Sequence, residues 1–279
     1  REGAAAAEPI WARLVAERYA TDHHEFVVKP DAVAILPDLV WHYNEPYADS
    51  SALPTYYLAK LARQHVTVAL NGDGGDENFA GYERYRLNRL AARYDRLPPI
   101  VRRLVEGGSR LIPAFGGPTA FPRRAKRFLA DAHEDPRRRY GRWLAIVSNA
   151  GKAMLYTREF SEAMRSIDSL DLFVEAYATP DARDVVDATL GADVASYLPD
   201  DLLVKVDIAT MAHGLEARSP MVDHLFMEFA ASIPPNLKLH GGRKTHIFKQ
   251  AIAPLLPAQL LDRPTQGVAV PLERWFRTA

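Results

Sequence analysis

Residues 66–77 read VTVALNGDGGDE, and this stretch decides the fold class of the chain. Its first part, Val66–Leu70, is apolar and rich in β-branched residues, a composition typical of a short buried strand. Three glycines follow within four residues, and glycine permits tight turns and close backbone approach. A strand that ends in such a turn before a helix places backbone N–H groups at the carboxyl edge of a parallel sheet. Ligands bind at that edge in α/β proteins, so the stretch predicts a binding site.

Acidic side chains distinguish this turn from a simple phosphate-binding loop. Asp73, Asp76 and Glu77 would repel a phosphate group unless Mg²⁺ lay between them, and Mg²⁺ takes hard oxygen ligands of this kind. The alternative is a solvated acidic turn without a ligand. The local sequence leaves both interpretations open.

The segment before this stretch predicts further α/β structure. A helix is expected over Ala4–Tyr19, a strand over His24–Val28, and a second helix from Pro30-Asp31 through Trp41. Alternating helices and strands favour a parallel sheet. Two parallel strands do not make a stable sheet, so the remaining strands are expected upstream of the first residue.

The rest of the chain reads mostly as helices. Breaks are predicted at Pro98-Pro99, Gly116-Gly117-Pro118 and Pro234-Pro235. These breaks favour a division into an α/β part, 1–97, and a mostly helical part, 98–279.

Composition excludes several classes of protein. The chain has 35 Lys+Arg and 35 Asp+Glu residues, so no net charge favours nucleic acid or an anionic membrane as a partner. It contains no cysteine, which excludes disulfides, thiolate metal sites and a cysteine nucleophile within these residues. Apolar runs fall short of membrane-spanning length, and a cytoplasmic location is expected.

A second block, LPDDLLVKVDIATMAHGLEARSPMVD, covers Leu198–Asp223 and mixes charged with apolar side chains. Charges amid so many apolar residues are costly to bury unless they are paired or used in function. Lys205 lies four residues after Asp201, one helical turn away, so the two are expected to pair. A salt-bridged helix junction and a functional cleft both remain compatible with the pattern.

Several motifs together resemble the synthetase half of glutamine-hydrolysing asparagine synthetases. They are NGDGGDENFAGYERY, the 198–223 block, the closing PLLPAQLLDRPTQGVAVPLERWF, and Glu45-Pro46 followed by Asp49-Ser50-Ser51. The resemblance covers essentially the whole chain. It implies an ATP-pyrophosphatase fold, with a parallel sheet, flanking helices and a mostly helical extension. The implied reaction activates the aspartate side chain as an acyl-adenylate with ATP and Mg²⁺, and ammonia then displaces AMP.

The resemblance also implies roles for individual residues. Asn71 and Gly72 match the positions that line the nucleotide site, and Asp76 matches the aspartate that holds Mg²⁺ and pyrophosphate. Asp73 falls where the family has a glutamate linked to proton removal, so it is an expected catalytic residue. The shorter side chain of aspartate leaves its role as the base open. The expected cleft residues are Lys205, Asp207, Glu216 and Arg218.

The chain departs from the family pattern at several positions. The SGGxDSS pyrophosphate loop and the N-terminal glutaminase are absent from it. The family's catalytic lysine aligns with Thr245, and the neighbouring Lys244 is expected to take that role. Near the end, Arg263–Val268 lacks the usual lysine and phenylalanine.

These departures limit the activity that is expected of the chain by itself. Ammonia would come from a glutaminase domain outside the chain, and residues 1–279 alone are expected to be inactive. Two alternatives remain: another adenylating synthetase of the β-lactam or peptide-cyclase type, and a degenerate module that keeps only fold and interface. The acceptor is aspartate or a similar carboxylate, and a homodimer is left open.

Overall fold

The computed structural model describes residues 8–26, 28, 32–109, 128–129, 131, 134–178 and 181–261. Within these ranges the protein is α/β and mostly helical, with a small parallel sheet. Its elements, in chain order, are α1 (Glu8–Tyr19), α2 (Ala32–Tyr43), α3 (Ala52–Ala62), β1 (Val68–Leu70), α4 (Gly75–Phe79), α5 (Glu83–Asp95), α6 (Pro99–Ser109), α7 (Pro136–Leu144), α8 (Asn149–Leu155), α9 (Arg158–Ala163), α10 (Leu170–Tyr177), α11 (Val185–Ala195), a π-helix (Leu198–Leu203), α12 (Val204–Met211), β2 (Glu216–Arg218), a 3₁₀ turn (Pro220–Val222), α13 (His224–Ser232), α14 (Pro235–Lys238), α15 (His246–Ile252) and α16 (Ala258–Leu261).

The described elements form two compact units. Unit 1 comprises residues 1–81 and 198–279, and unit 2 comprises residues 82–197. Unit 2 is therefore inserted, in chain order, between the two parts of unit 1. The division into 1–97 and 98–279 was based on the kinds of element expected in each part, and it stays a prediction.

The sheet pairs β1 with β2 in parallel, with Val68 opposite Glu216 and Leu70 opposite Arg218. The predicted strand in Val66–Leu70 is thus present, but the prediction that it is buried is wrong. Val68 is 38% exposed and Leu70 is 72% exposed. β1 has only one neighbouring strand among the described residues, and a two-stranded sheet covers little of its own surface.

The predicted helices near the start are confirmed within the described residues. α1 ends at Tyr19 as expected, and α2 continues two residues beyond Trp41. The strand expected over His24–Val28 is not formed by its described residues, which exclude Val27. A strand needs a hydrogen-bonded neighbouring strand, and the described residues of this segment pair with none. The His24 ring lies 4.4 Å from the His65 ring.

The proline breaks also agree with the sequence. α5 ends before Pro98-Pro99, and α13 ends before Pro234-Pro235, because proline fits the first turn of a helix but not its interior. The break at Gly116-Gly117-Pro118 and the departure at Arg263–Val268 lie outside the described residues. No helix in the described ranges is long and apolar enough to cross a bilayer.

The core of unit 1 lies where α2, α3 and α12 meet. Aromatic and aliphatic side chains fill it, and small residues allow the helices to approach closely. Its buried members are Leu39, Tyr43, Ala52, Leu53, Tyr56 and Ala209.

Unit 2 is organised around a buried carboxylate. Asp193 on α11 is fully buried, and the hydroxyls of Tyr85 and Tyr140 each donate to it at 2.6 Å. The Arg84 guanidinium donates as well, at 2.9 Å. These donors compensate the cost of burying the charge, so Asp193 fixes the packing of α5, α7 and α11.

Candidate functional site

The turn after β1 forms the carboxyl edge of the sheet. The Asn71 backbone N–H donates to the Arg218 carbonyl at 2.9 Å, so the ends of β1 and β2 are held side by side. Gly74 then takes a left-handed conformation with φ of 88°. A Cβ on Gly74 would lie 2.7 Å from Val222 Cγ2. Both the positive φ and this lack of space therefore require glycine at the position.

Asn71 and Gly72 are both suited to contact a ligand. The Asn71 side-chain nitrogen is buried and has no hydrogen-bond partner among the described residues. A buried donor without a partner costs about 1–3 kcal/mol, and a bound polar group would remove that cost. A Cβ on Gly72 would meet nothing within 4 Å, so space is open directly above the backbone. Both features fit a nucleotide at this edge.

Asp73 and Lys205 are brought together, although they lie far apart in sequence. Asp73 is half-buried, and burial raises the pKa of its carboxyl group. The positive charge of Lys205 partly opposes this rise in pKa. A carboxylate whose pKa is raised holds a proton more readily, which suits a group that must accept one.

Lys205 makes a direct ion pair with another carboxylate, that of Asp49. Its ammonium donates to Asp49 Oδ2 at 2.9 Å. Asp49 in turn accepts from the Ser51 backbone N–H at 2.8 Å and from the Ser51 hydroxyl at 2.7 Å. Burial by itself would raise the pKa of Asp49, but Ser51 and Lys205 outweigh it and the pKa is lowered. Asp49 therefore remains ionised and holds the Lys205 ammonium in place.

The expected pair between Asp201 and Lys205 is wrong. Residues 198–203 form a π-helix, whose wider turn changes the register in which side chains four residues apart face each other. Asp201 instead accepts a 2.5 Å hydrogen bond from the Tyr47 hydroxyl. The Tyr43 hydroxyl donates to the Lys205 carbonyl at 2.9 Å. The π-helix thus turns Lys205 toward Asp49.

Asp76 lies in the first turn of α4, and its side chain packs against Gly81. The residues described contain no group of three His, Asp or Glu side chains that could hold a metal. Mg²⁺ that accompanies a nucleotide needs only one or two carboxylates, because phosphate oxygens and waters complete its shell. The role of Asp76 in holding Mg²⁺ therefore stays a prediction.

The side chains of the remaining predicted residues make other contacts. Arg218 ends β2 and pairs with Glu216 at 2.8 Å, with both side chains largely exposed. Asp207 is exposed on α12. Lys244 makes no hydrogen bond or ion pair through its ammonium with any residue that the structure describes. Its neighbour Thr245 has φ of 49° and donates its N–H to the Phe79 carbonyl at the end of α4.

Asp49 and Ser51 belong to one of the motifs that carry the family resemblance, but no role was predicted for either residue, and none was predicted for Tyr47. A usable indication was present, since two small polar residues that can donate to a carboxylate, Ser50 and Ser51, follow Asp49 directly. The partner Lys205, distant in sequence, could not be found without the fold.

Gly81→Ala is expected to destabilise the chain by about 1–3 kcal/mol, since a Cβ there would lie 1.6 Å from Asp76 Oδ1. Gly72→Ala is the matched control, because its Cβ meets no neighbour. Urea unfolding of both variants measures the difference. Equal stabilities would contradict the contact between Asp76 and Gly81.

Lys205→Met is expected to raise the pKa of Asp73 further, because the opposing positive charge is lost. If the ionised Asp73 is needed for activity, the acid limb of the pH–rate profile should move to higher pH. Lys205→Arg should keep the limb near its original position, and Lys60→Met, at an exposed lysine of the same unit, should leave it unchanged. An acid limb that stays at the same pH in Lys205→Met would show that Asp73 is not the group that sets it.

Comparisons with known proteins bear on this geometry. A family model described as asparagine synthase matches residues 2–279. The chain is 32% identical over 274 residues to a putative glutamine-hydrolysing asparagine synthetase of Mycobacterium tuberculosis, covering 98% of this chain and 39% of that protein. It is 29% identical over 243 residues to asparagine synthetase 1 of Bacillus subtilis, covering 87% and 37%. It is also 23% identical over 306 residues to amidase chyE of Penicillium rubens, covering 98% and 43%.

Proposed function

The chain belongs to the asparagine synthase family, and we propose that it provides the synthetase centre of an ATP-dependent, amide-forming ligase. It spans about two fifths of the length of the relatives it matches, so the activity of the whole protein is part of this proposal. Relatives named as glutamine-hydrolysing support a glutaminase domain as the source of ammonia.

One observation carries the proposal: the unpaired, buried Asn71 donor lies beside the open space over Gly72. Asp73 follows directly in sequence, and its carboxyl group interacts with the Lys205 ammonium. A nucleotide donor site, a base and a cation therefore share the edge where β1 and β2 end.

The reaction has two steps. The acceptor carboxylate attacks the α-phosphate of ATP, and the bond to pyrophosphate breaks, which leaves an acyl-adenylate. Ammonia then attacks the acyl carbon, AMP leaves, and Asp73 takes the proton that the nitrogen must lose. Lys205 supplies positive charge beside Asp73 and balances the carboxylates of the site. Lys244 is proposed as a second cation for the phosphates. For Asp207, Glu216 and Arg218 we propose supporting roles in the cleft.

The names of the relatives favour aspartate as acceptor and asparagine as product. A different acceptor on the same scaffold is the second candidate, and the amidase of Penicillium rubens is compatible with it. A degenerate, non-catalytic module is disfavoured because the chain keeps both a free donor and a base at the sheet edge.

The test uses the protein as its gene encodes it. We expect pyrophosphate release that depends on ATP and on a carboxylate, and amide formation that depends on ammonia. Asn71→Ala should weaken ATP binding by tenfold or more, as expected for a lost buried hydrogen bond of about 1.5 kcal/mol. Asn236→Ala, at an exposed asparagine of the same unit, is the control. Absence of pyrophosphate release with every carboxylate would reject the proposal.

Residues 1–279 alone should release no pyrophosphate, because phosphate positioning supplies much of the catalysis in such reactions. The same assay on the purified fragment checks this, with the whole protein as reference. Release above background would show that the described site positions the phosphates by itself.

A further inference from the structure

A cavity of about 170 Å³ lies beside the Asp49–Lys205 ion pair, between α2 and the segment 45–53. Most of its wall is aliphatic, and Leu36, Leu39, Val40 and Leu53 supply the larger side chains. An apolar cavity of about 150 Å³ is enough to hold a benzene-sized group. The cavity can therefore hold an apolar group of roughly six carbons.

The polar end of the cavity carries negative charge. Asp49 and Glu45 both line it. The Asp49 carboxylate is neutralised by Lys205, whereas Glu45 is exposed, and no described residue pairs with its side chain. A second carboxylate on a ligand would meet Glu45 and an aliphatic wall, both of which disfavour it. An ammonium group would be attracted to Glu45.

One residue of the cavity wall is linked to the reactive groups. Asp49 lines the cavity and accepts a hydrogen bond from the Lys205 ammonium, and the charge of Lys205 acts on Asp73. A molecule that places its apolar group in the cavity can thus direct a carboxylate toward the Lys205 ammonium. This position is where the proposed function requires the acceptor to react.

We propose that the cavity is the side-chain pocket for the acceptor, and that the acceptor is an amino acid with an apolar side chain and a single carboxylate. The proposal rests on the proposed function. It predicts a substrate class different from aspartate, whose second carboxylate would lie against the aliphatic wall or beside Glu45.

A nucleotide base is a poorer occupant of the cavity. The ring nitrogens of a base need hydrogen-bond donors, and the two tyrosine hydroxyls at the wall already donate to other groups. Tyr43 donates to the Lys205 carbonyl, and Tyr47 donates to Asp201. An aliphatic side chain needs no such partners.

The experiment measures pyrophosphate release by the whole protein with leucine, phenylalanine and aspartate, and measures binding of leucine and aspartate by calorimetry. Leucine or phenylalanine should exceed aspartate by about tenfold or more in kcat/KM, the selectivity that a small change in an apolar pocket provides. Val40→Asp should weaken leucine binding about tenfold. Val40→Lys should shift the substrate preference toward aspartate. Val40 is 59% exposed, so both variants are expected to fold.

Leu58→Asp is the matched control, because Leu58 is 60% exposed in the same unit and does not line the cavity. Preference for aspartate in the unmodified protein would overturn the inference while the proposed function stands. Leucine binding that is sensitive to Val40→Asp, without pyrophosphate release, would support the pocket and reject the function. If Val40→Asp weakens the binding of ATP but not that of any amino acid, the cavity holds the nucleotide base and the inference fails.

Discussion

Asp73→Asn in the whole protein is expected to separate the two chemical steps. Adenylate should still form and pyrophosphate should still be released, since the first step needs no base at Asp73. Amide formation should fall by about 10²–10⁴-fold, the usual contribution of a general base, because the attacking nitrogen keeps its proton. The measurement is the ratio of pyrophosphate to amide product in the variant and in the unmodified protein.

The matched control for this prediction is Asp22→Asn, which makes the same change at an exposed carboxylate of the same unit. Its ratio should match that of the unmodified protein. If both rates fall together in Asp73→Asn and the ratio is constant, Asp73 positions the nucleotide or the metal and is not the base. The raised pKa of Asp73 adds a second readout, because the variant should lose the acid limb that this carboxyl group sets.

Asp76→Asn is expected to reduce adenylate formation by about 10²-fold or more. Asparagine keeps the shape of the side chain and its contact with Gly81, but it removes an anionic ligand for Mg²⁺. Loss of one main group that stabilises transition-state charge costs about this much. Pyrophosphate release, measured across a range of Mg²⁺ concentrations, checks the prediction.

Asp200→Asn, in the π-helix, provides a control at another acidic residue of unit 1. A higher Mg²⁺ concentration should restore part of the activity of Asp76→Asn if the carboxylate acts through the ion. Near-normal release at ordinary Mg²⁺ would identify Asp76 as a residue of the turn without a role in metal binding.

Local sequence pattern was sufficient for much of the fold. The glycine turn after Val66–Leu70, the proline-limited ends of α5 and α13, and the boundary of α1 at Tyr19 all depend on nearby residues, and the structure agrees with them. The parallel pairing of β1 with β2 was not predicted, because Glu216-Ala217-Arg218 has neither alternation nor an apolar run. Its pairing is a tertiary contact, which no local preference specifies.

The candidate site was also predictable only in part. Asn71, Gly72 and Asp73 follow one another, so their shared location could be read from the sequence. The partnership of Lys205 with Asp49 could not, because a π-helix lies before α12 and the expected partner, Asp201, is taken by Tyr47. The π-helix is marked by no residue type that distinguishes it from an ordinary helical turn.

The insertion of unit 2 between the two parts of unit 1 has a consequence for the order of folding. Val68 and Glu216 pair across the whole of residues 82–197, so the neighbour that β1 has among the described residues is synthesised only after unit 2. Loop-closure entropy makes such distant pairing slow, whereas the contacts of α5, α7 and α11 close over shorter spans. During synthesis, unit 2 is expected to be complete first, while β1 and the binding edge wait for the last third of the chain.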